Sequence, residues 1–299
     1  MPGSVANLGA GFDTLGVAVQ LYLRARIVDV QDNGEARLVV VRSTPPVHGG
    51  NAIERAFSLA AARTRRPAPT VSIEVESDIP MAAGLGSSAA ASVAGLRVFE
   101  RVTRPLTDDE LLALATEVEG HADNAAPALF GGLTSVIADE EHHPTALRWT
   151  WPEDLRLVVV TPAMKLATAK ARAALPEMVP RRDAIFNMQR ALSFVHALET
   201  RDYDRLREAV RDRWHQGARA SMVPVLREAL ALQDPDVLGA FLSGAGPSVA
   251  FLGRRNLDRL EHVLSDLYGR AGVSAVVRTL SVYHAPVLAA TASSVGRTA

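Results

Sequence analysis

Apolar and polar positions alternate with period two early in the chain. Val19, Leu21, Leu23, Ala25 and Ile27 fall between mostly polar or large residues, and Asn33-Gly34 supplies a tight-turn pair before a second apolar run at 37–41. This pattern predicts a β-hairpin over residues 17–41. The period then lengthens. From Asn51, the residues Ile53, Ala56, Phe57 and Ala60 share one helical face, and Arg65-Arg66-Pro67 ends the helix. Residues 70–76 alternate again as a half-buried strand, and the alanine-rich stretch 87–101 predicts a helix. Thr107-Asp108-Asp109-Glu110 has the form of a capping box and opens a helix to about Glu119. Strands are predicted at 134–137 and 155–160, then helices at 168–175, 183–199, 202–213 and 224–233. Strands at 237–243 and 248–252 flank a glycine loop, followed by a helix at 257–270 and a strand at 275–280. The small, polar tail at 290–299 is expected to fray. The polar, proline-bounded stretch 139–152 is the best domain boundary. Strand and helix runs mix without strict β-α-β alternation, which favours an α+β fold over a doubly wound sheet.

Composition narrows the classes. The chain has 299 residues, 48% of them hydrophobic and 22% charged, which permits one large or two ordinary domains with a sizeable core. There are 32 Lys plus Arg against 33 Asp plus Glu, a net charge of −1 that argues against a dedicated nucleic-acid binder. With no cysteine there is no disulfide framework, zinc thiolate, iron–sulfur cluster or thiol nucleophile. A bound metal must take oxygen or imidazole ligands. No run reaches the roughly 18–20 consecutive apolar residues of a membrane helix. The first basic residue is Arg24, so the start does not read as a signal peptide, and a cytoplasmic location is expected. The only lysines are Lys165 and Lys170, so a mechanism that needs a lysine has two candidates.

Candidate chemistry lies in three glycine-bearing loops. The most informative is Pro80-Met81-Ala82-Ala83-Gly84-Leu85-Gly86-Ser87-Ser88-Ala89-Ala90-Ala91-Ser92, between a strand and a helix. Its glycines allow close backbone approach, and the N–H groups and dipole of the following helix favour an anion. Ser87 and Ser88 add hydroxyls that can also cap the helix, and Ser92 is placed to reach a phosphate-bound cation. The loop is not a Walker A motif, since no Gly-Lys-Ser/Thr follows. The dinucleotide fingerprint is formally matched by Gly84, Gly86 and Ala89, but the preceding strand alternates and Asp108 starts a helix instead of ending a second strand. A tight turn with a serine cap is the plain structural alternative. The other two loops are 2–13 and 242–248, and three such loops beside strand-like sequence point to a shared phosphate or substrate cavity. The histidines show no metal-binding spacing, and His142-His143 reads as exposed linker.

Asn7-Leu8-Gly9-Ala10-Gly11-Phe12-Asp13, Gly84-Leu85-Gly86-Ser87-Ser88-Ala89 and Ser243-Gly244-Ala245-Gly246-Pro247-Ser248 resemble the three motifs of the GHMP kinases (galacto-, homoserine, mevalonate and phosphomevalonate kinases). The stretch from Gly120-His121-Ala122-Asp123-Asn124 to Gly131-Gly132, and Thr168-Ala169-Lys170-Ala171-Arg172 before Leu175-Pro176, are similar to the homoserine kinase branch. The resemblance runs from Pro2 to about Leu280.

That resemblance implies a fold, an activity and a set of site residues. The implied fold is the two-domain α+β GHMP arrangement, with an ATP-binding half at 1–150, a second half at 151–299, and ATP and acceptor in the cleft between them. The implied activity is Mg²⁺-assisted transfer of the γ-phosphoryl of ATP to the side-chain hydroxyl of L-homoserine, a step towards threonine. The alternatives are a GHMP kinase for another small alcohol and a catalytically inactive, ligand-binding family member. By the same resemblance, residues 80–90 form the phosphate loop, and Asn124, Asp13, Ser88 and Thr168 are the catalytic groups. Ser92 and Glu117 hold Mg²⁺, with Glu119 as the alternative carboxylate. Asn7, Asp13, Asn124, Arg172 and Arg219 bind homoserine: Asp13 suits an ammonium, and an arginine can take a carboxylate bidentately. Thr168 contacts the acceptor, and Asp123 is read as a supporting neighbour of Asn124. Mevalonate kinase-like relatives carry an aspartate, usually taken as the base, where this chain has Asn124. No strong base then sits on the attacking hydroxyl, and catalysis rests on positioning and charge. Ala82-Ala83 departs from the family's usual Gly-Ser. The chain also begins directly at the first motif, where relatives usually have a short preceding strand, so the expectation is either a missing edge strand or a misassigned start site. A homodimer is compatible with the family, although the sequence does not fix the oligomeric state. No nucleic-acid or membrane partner is expected.

Overall fold

A computed structural model describes residues 1–285; the tail expected to fray lies outside them. Two sheets organise the chain. The first contains β1 (Pro2–Ala6), β2 (Leu15–Gln31), β3 (Leu38–Thr44), β4 (Thr70–Ser77), β5 (Leu133–Ala138) and β6 (Pro144–Trp149), in the order β3-β4-β2-β5-β6 with β1 also on β2. The second contains β7 (Arg156–Pro162), β8 (Gly239–Leu242), β9 (Val249–Gly253) and β10 (Ala275–Leu280), in the order β10-β7-β9-β8. The α+β assignment holds.

The 17-residue β2 is the spine of the first sheet. Its first half pairs with β1 and β5 and its second half with β4, all antiparallel. The helices α1 (Ala52–Thr64), α2 (Ser87–Val102), α3 (Asp108–Glu119) and α4 (Ala125–Phe130) cover this sheet. Phe57 of α1 and Phe99 of α2 meet edge to face at 5.6 Å in the core. Asn51 caps α1 by accepting from the N–H groups of Ile53 and Glu54, and the expected capping box opens α3. In the second sheet β7 is buried over Leu157–Val160, and Val158 and Val160 pack with Phe251, Leu260, Leu264 and Tyr268.

The remaining helices among the described residues are α5 (Thr168–Ala173), α6 (Arg181–Thr200), α7 (Leu206–Ala209), α8 (Gln216–Arg219), α9 (Leu226–Leu230) and α10 (Leu257–Arg270), with a 3-10 turn at Tyr203–Arg205. The core of the first sheet continues across the boundary through Trp151, Phe194 and Phe241. Residues after β10 return to the first sheet, where Val282 bridges Val19 and His284 bridges Gly131. No helix among the described residues is long and apolar enough to cross a membrane.

Four local expectations are corrected. β2 and β3 do not form a hairpin, because β4 inserts between them, parallel to β3 and antiparallel to β2. The Asn33-Gly34 turn is present, but the fully buried Val71 and Ile73 of β4 offer β2 a better partner than the mostly half-exposed β3. The stretch 139–152, in which the sequence predicts no strand, holds one. Residues 144–149 add β6 to the first sheet, and Trp151 is buried, donating its indole N–H to the Leu155 carbonyl at 3.0 Å. The expected helix at 202–213 shrinks to the 3-10 turn and α7, since the Asp212 carboxylate accepts from the backbone N–H of Trp214, His215 and Gln216 and starts a new turn. Lastly, Pro2–Ala6 is itself an edge strand, paired with β2 and hydrogen-bonded through Ser4 N–H to the Leu85 carbonyl at 3.1 Å.

Candidate active site

The three glycine loops meet and are tied together by their own polar groups. Asn7, with φ of 72°, ends β1; its Nδ2 donates to the Gly244 carbonyl at 2.9 Å and its Oδ1 accepts from the Asp13 N–H at 3.1 Å. Gly244 N–H donates to the Ala6 carbonyl, and Ser243 Oγ to the Gly84 carbonyl at 2.6 Å. Gly84 and Gly86 take φ of 76° and 68°. A Cβ at Gly84 would lie 2.3 Å from the Ser243 carbonyl oxygen, and one at Gly86 would lie 2.1 Å from Ser4 Oγ. Only glycine meets both the backbone angle and the space. Ala82 also has positive φ, 52°, and its carbonyl accepts from Leu166 N–H.

Ala82 to Ala89 line one cavity, with Asn7, Phe12, Asp13, Glu119, His121, Asp123, Asn124, Thr168, Arg172, Arg219, Gly244 and Ala245. Pro80, Met81 and Ala90 of the expected loop lie outside that wall. Gly86, not Ser87 or Ser88, is the N-cap of α2, and no side chain caps the helix. The first N–H groups of this 16-residue helix therefore lack side-chain acceptors at a cavity wall, a suitable seat for an anion.

Across the wall, Ser92 is fully buried and donates to Glu119 Oε1 at 2.5 Å; Ser88 Oγ donates to the same oxygen at 2.9 Å. Glu119 ends α3, whose Gly120 C-cap is left-handed. Glu117 points elsewhere. It is exposed, outside the cavity, and paired with Arg63 of α1 at 2.5 Å. The geometry thus brings Glu119, and not Glu117, to Ser92. Two residues along a helix is about 200°, so Glu117 and Glu119 cannot share a face.

Asn124 accepts from Ser4 Oγ at 2.9 Å and donates from Nδ2 to Asp123 Oδ1 at 3.3 Å. Asp123 is buried and lies 2.8 Å from His121 Nδ1. Burial of His121 disfavours its charge, but the hydrogen bond and negative charge of Asp123 outweigh this and hold its pKa above the ordinary imidazole value.

Arg172 of α5 donates through both terminal nitrogens to Asp13, at 2.7 and 2.8 Å. This pairing raises the arginine's pKa further. Arg219 of α8 is only 2% exposed, and burial and the neighbouring Arg172 lower its pKa. Both guanidinium groups face the Phe12 ring, at 5.8 and 5.4 Å from its centre. Thr168 begins α5 and lines the cavity, whereas Lys165 and Lys170 do not.

Anion-seating N–H groups, the Ser88–Glu119 hydroxyl–carboxylate pair and an Asp–Arg pair beside a second arginine thus share one cavity, with Ser92 buried behind Glu119 and outside its lining. Sequence reasoning missed Phe12, His121 and the supporting Ser4 and His215. His121 stands inside the motif that holds Asn124, and a histidine two residues before an aspartate was the available signal. His215 precedes Arg219 by four residues, but the Gly9 carbonyl that fixes its other ring nitrogen lies 206 residues away, so nothing local marked it.

Comparison with known proteins shows the family. Residues 51–132 match the GHMP kinases N terminal domain, and residues 194–270 match the GHMP kinases C terminal. The chain is 40% identical to a homoserine kinase of Deinococcus radiodurans over 283 residues, covering 92% of this chain and 91% of that protein. It is 36% identical to a homoserine kinase of Aquifex aeolicus, covering 94% and 95%. The crystal structure of homoserine kinase from Cytophaga hutchinsonii superposes with a TM-score of 0.82 at 24% identity, covering 94% of this chain and 93% of that one, and shares the fold.

Proposed function

Since the chain belongs to the homoserine kinase branch of the GHMP kinase family, we propose that it transfers the γ-phosphoryl group of ATP to the side-chain hydroxyl of L-homoserine, in the cytoplasm and in the service of threonine synthesis. The observation that carries the acceptor is the Asp13–Arg172 pair, with Arg219 beside it, in the same cavity as the phosphate loop. An α-amino acid bears an ammonium and a carboxylate on one carbon, and such a zwitterion is matched by an aspartate and two arginines in one wall. In this reading the ammonium takes Asp13 and the carboxylate takes Arg172 and Arg219. The side-chain hydroxyl then extends towards Asn124 and the α2 N-terminus.

The triphosphate lies along Ala82–Ala89, its charge met by loop and helix N–H groups. The donor set of Ser92 and Glu119 is all oxygen, which fits Mg²⁺. These two residues would hold the ion, which supplies charge neutralisation between the transferred and leaving phosphates. The attacking oxygen forms its bond to the γ-phosphorus as the bond to the leaving β-phosphate oxygen breaks; the hydroxyl proton is released to water, and ADP departs. Asn124 is a carboxamide and cannot take the hydroxyl proton. Asp123, the nearest carboxylate, is engaged by His121 and Asn124. A loose phosphoryl-transfer transition state places little demand on a base, so positioning and electrostatics carry the rate. Residues 1–150 and 151–299 serve as the two working halves, the cavity being built from loops of both.

Coupled ADP release across L-homoserine, mevalonate, galactose, L-threonine and shikimate tests this. Homoserine is expected to give the highest kcat/KM. Turnover of another acceptor with none on homoserine would replace the substrate while keeping the reaction class. Absence of Mg²⁺-dependent turnover on every acceptor would favour a non-catalytic binding protein.

A further inference from the structure

His215 has no role in the chemistry above, yet it is fully buried one helical turn before Arg219. Its Nε2 lies 2.9 Å from the Gly9 carbonyl oxygen, which can only accept, so Nε2 carries the proton. Its Nδ1 lies 3.1 Å from Nη1 of Arg219, which can only donate, so Nδ1 is bare. The two partners together exclude the imidazolium and leave a single neutral tautomer. Burial foremost, and then the charge of Arg219, keep the pKa of His215 below its ordinary value, against the opposing pull of Asp212.

Arg219 is held from three sides. Its Nε donates to the Ala171 carbonyl at 3.2 Å, and Nη1 donates both to His215 and to the Gly244 carbonyl, also at 3.2 Å. Among the described residues Nη2 has no protein partner, so these anchors set its direction. The His215 ring also stacks on Phe12 at 5.2 Å, next to the Asp13 that pairs with Arg172. Its backbone N–H is fixed by the buried Asp212 carboxylate at 2.9 Å. One imidazole thus joins the first loop, through Gly9 and Phe12, to the arginine behind the acceptor end of the cavity.

We propose that His215 is a positioning residue: its single-tautomer imidazole holds the Arg219 guanidinium with Nη2 free for the acceptor's carboxylate. This rests on the reading of the cavity as an amino-acid alcohol site. A purely packing role is the rival, and substitutions separate the two. His215→Phe keeps the ring and its stacking but removes both hydrogen bonds; His215→Gln restores one donor and one acceptor.

Steady-state kinetics of the wild type and both variants with L-homoserine and with 3-aminopropan-1-ol, which is homoserine without its carboxylate, give the readout. His215→Phe should raise the homoserine KM roughly 10- to 100-fold, the effect of losing a hydrogen bond to a charged group. Its kcat and its KM for ATP should change far less. His215→Gln should recover most of the loss, and kcat/KM for 3-aminopropan-1-ol should be the same in all three proteins. An unchanged homoserine KM in His215→Phe, an equal loss with both acceptors, or no rescue by glutamine would overturn the proposal. Nitrogen-15 NMR of the wild-type protein needs no variant to fold: a protonated Nε2 and bare Nδ1 are expected, and an imidazolium or the other tautomer would overturn the geometry. Wild-type turnover of a different alcohol, with none of homoserine, would overturn the acceptor reading instead, and the NMR result then decides His215 by itself.

Discussion

Glu117 and Glu119 differ by two positions, and that spacing decides which of them meets the nucleotide. Glu119 accepts from Ser88 and Ser92 at the cavity, while Glu117 is neutralised by Arg63 on the outer surface. Glu119→Gln should therefore weaken the Mg²⁺ dependence of turnover by at least the roughly 10- to 100-fold that losing a supporting partner costs a metal site. Glu117→Gln should leave it within about twofold, since an exposed ion pair is worth only ~0–1 kcal/mol. Mg²⁺ titration of kcat in the two variants distinguishes them. Gly86 makes a second residue-scale prediction. Gly86→Ala places a methyl against Ser4 Oγ at positive φ. It should cost about 1–3 kcal/mol in denaturant unfolding and also depress kcat, because Ser4 orients Asn124. At this scale the sequence exposed residue types and motif membership. It did not expose which of two neighbouring carboxylates turns inward, nor that His121 and Asp123 pair, because side-chain direction depends on what each helix packs against.

At the scale of elements, local chemistry was most readable where a short-range interaction is decisive. The Thr107–Glu110 capping box and the Asn51 cap are present, since both are set within four residues. Thr107→Ala should lower stability by about 1 kcal/mol in urea unfolding with kcat nearly unchanged. The buried Leu111, Leu112, Leu114 and Ala115 keep α3 docked, and with it Glu119. A kcat loss as large as that of Glu119→Gln would show instead that the cap controls the site. Non-local pairing was not readable. The Asn33-Gly34 turn favoured a hairpin, but β4 competed successfully for the same strand edge from some forty residues away. β6 escaped notice because its residues are mostly exposed and it completes a sheet edge without a strong apolar alternation.

For the whole molecule, the site exists only because distant loops close on one another. Asn7 reaches Gly244, Ser243 reaches Gly84, and His215 reaches Gly9. The sequence pointed to a common cavity through the repeated glycine motifs and the family resemblance, but not to the hydrogen bonds that assemble it. Burial of a neutral His215 also links folding to pH. Asp212 and Asp13 favour its charge, Arg219 and above all burial oppose it, and its folded pKa lies below the ordinary 6.5. The unfolded chain therefore binds a proton that the folded one refuses, and stability falls as pH drops below about 6.5, by up to ~1.4 kcal/mol per pH unit for one proton. His121, raised by Asp123, has the opposite sign: its contribution is fully present below the unfolded pKa and is lost as pH rises through the higher folded value. Urea unfolding from pH 7 to pH 5 should show a shallower acid-side loss in His215→Gln than in the wild type. An identical slope would mean that His215 is charged in the folded protein.

If the three-loop cavity moves a phosphoryl group onto the side-chain oxygen of an amino acid, phosphorus-31 NMR of the wild-type protein with ATP, Mg²⁺ and L-homoserine follows that group directly. A phosphomonoester signal of O-phosphohomoserine is expected to grow in one-to-one proportion with ADP. ADP accompanied only by inorganic phosphate, with homoserine left unmodified, would contradict the assignment.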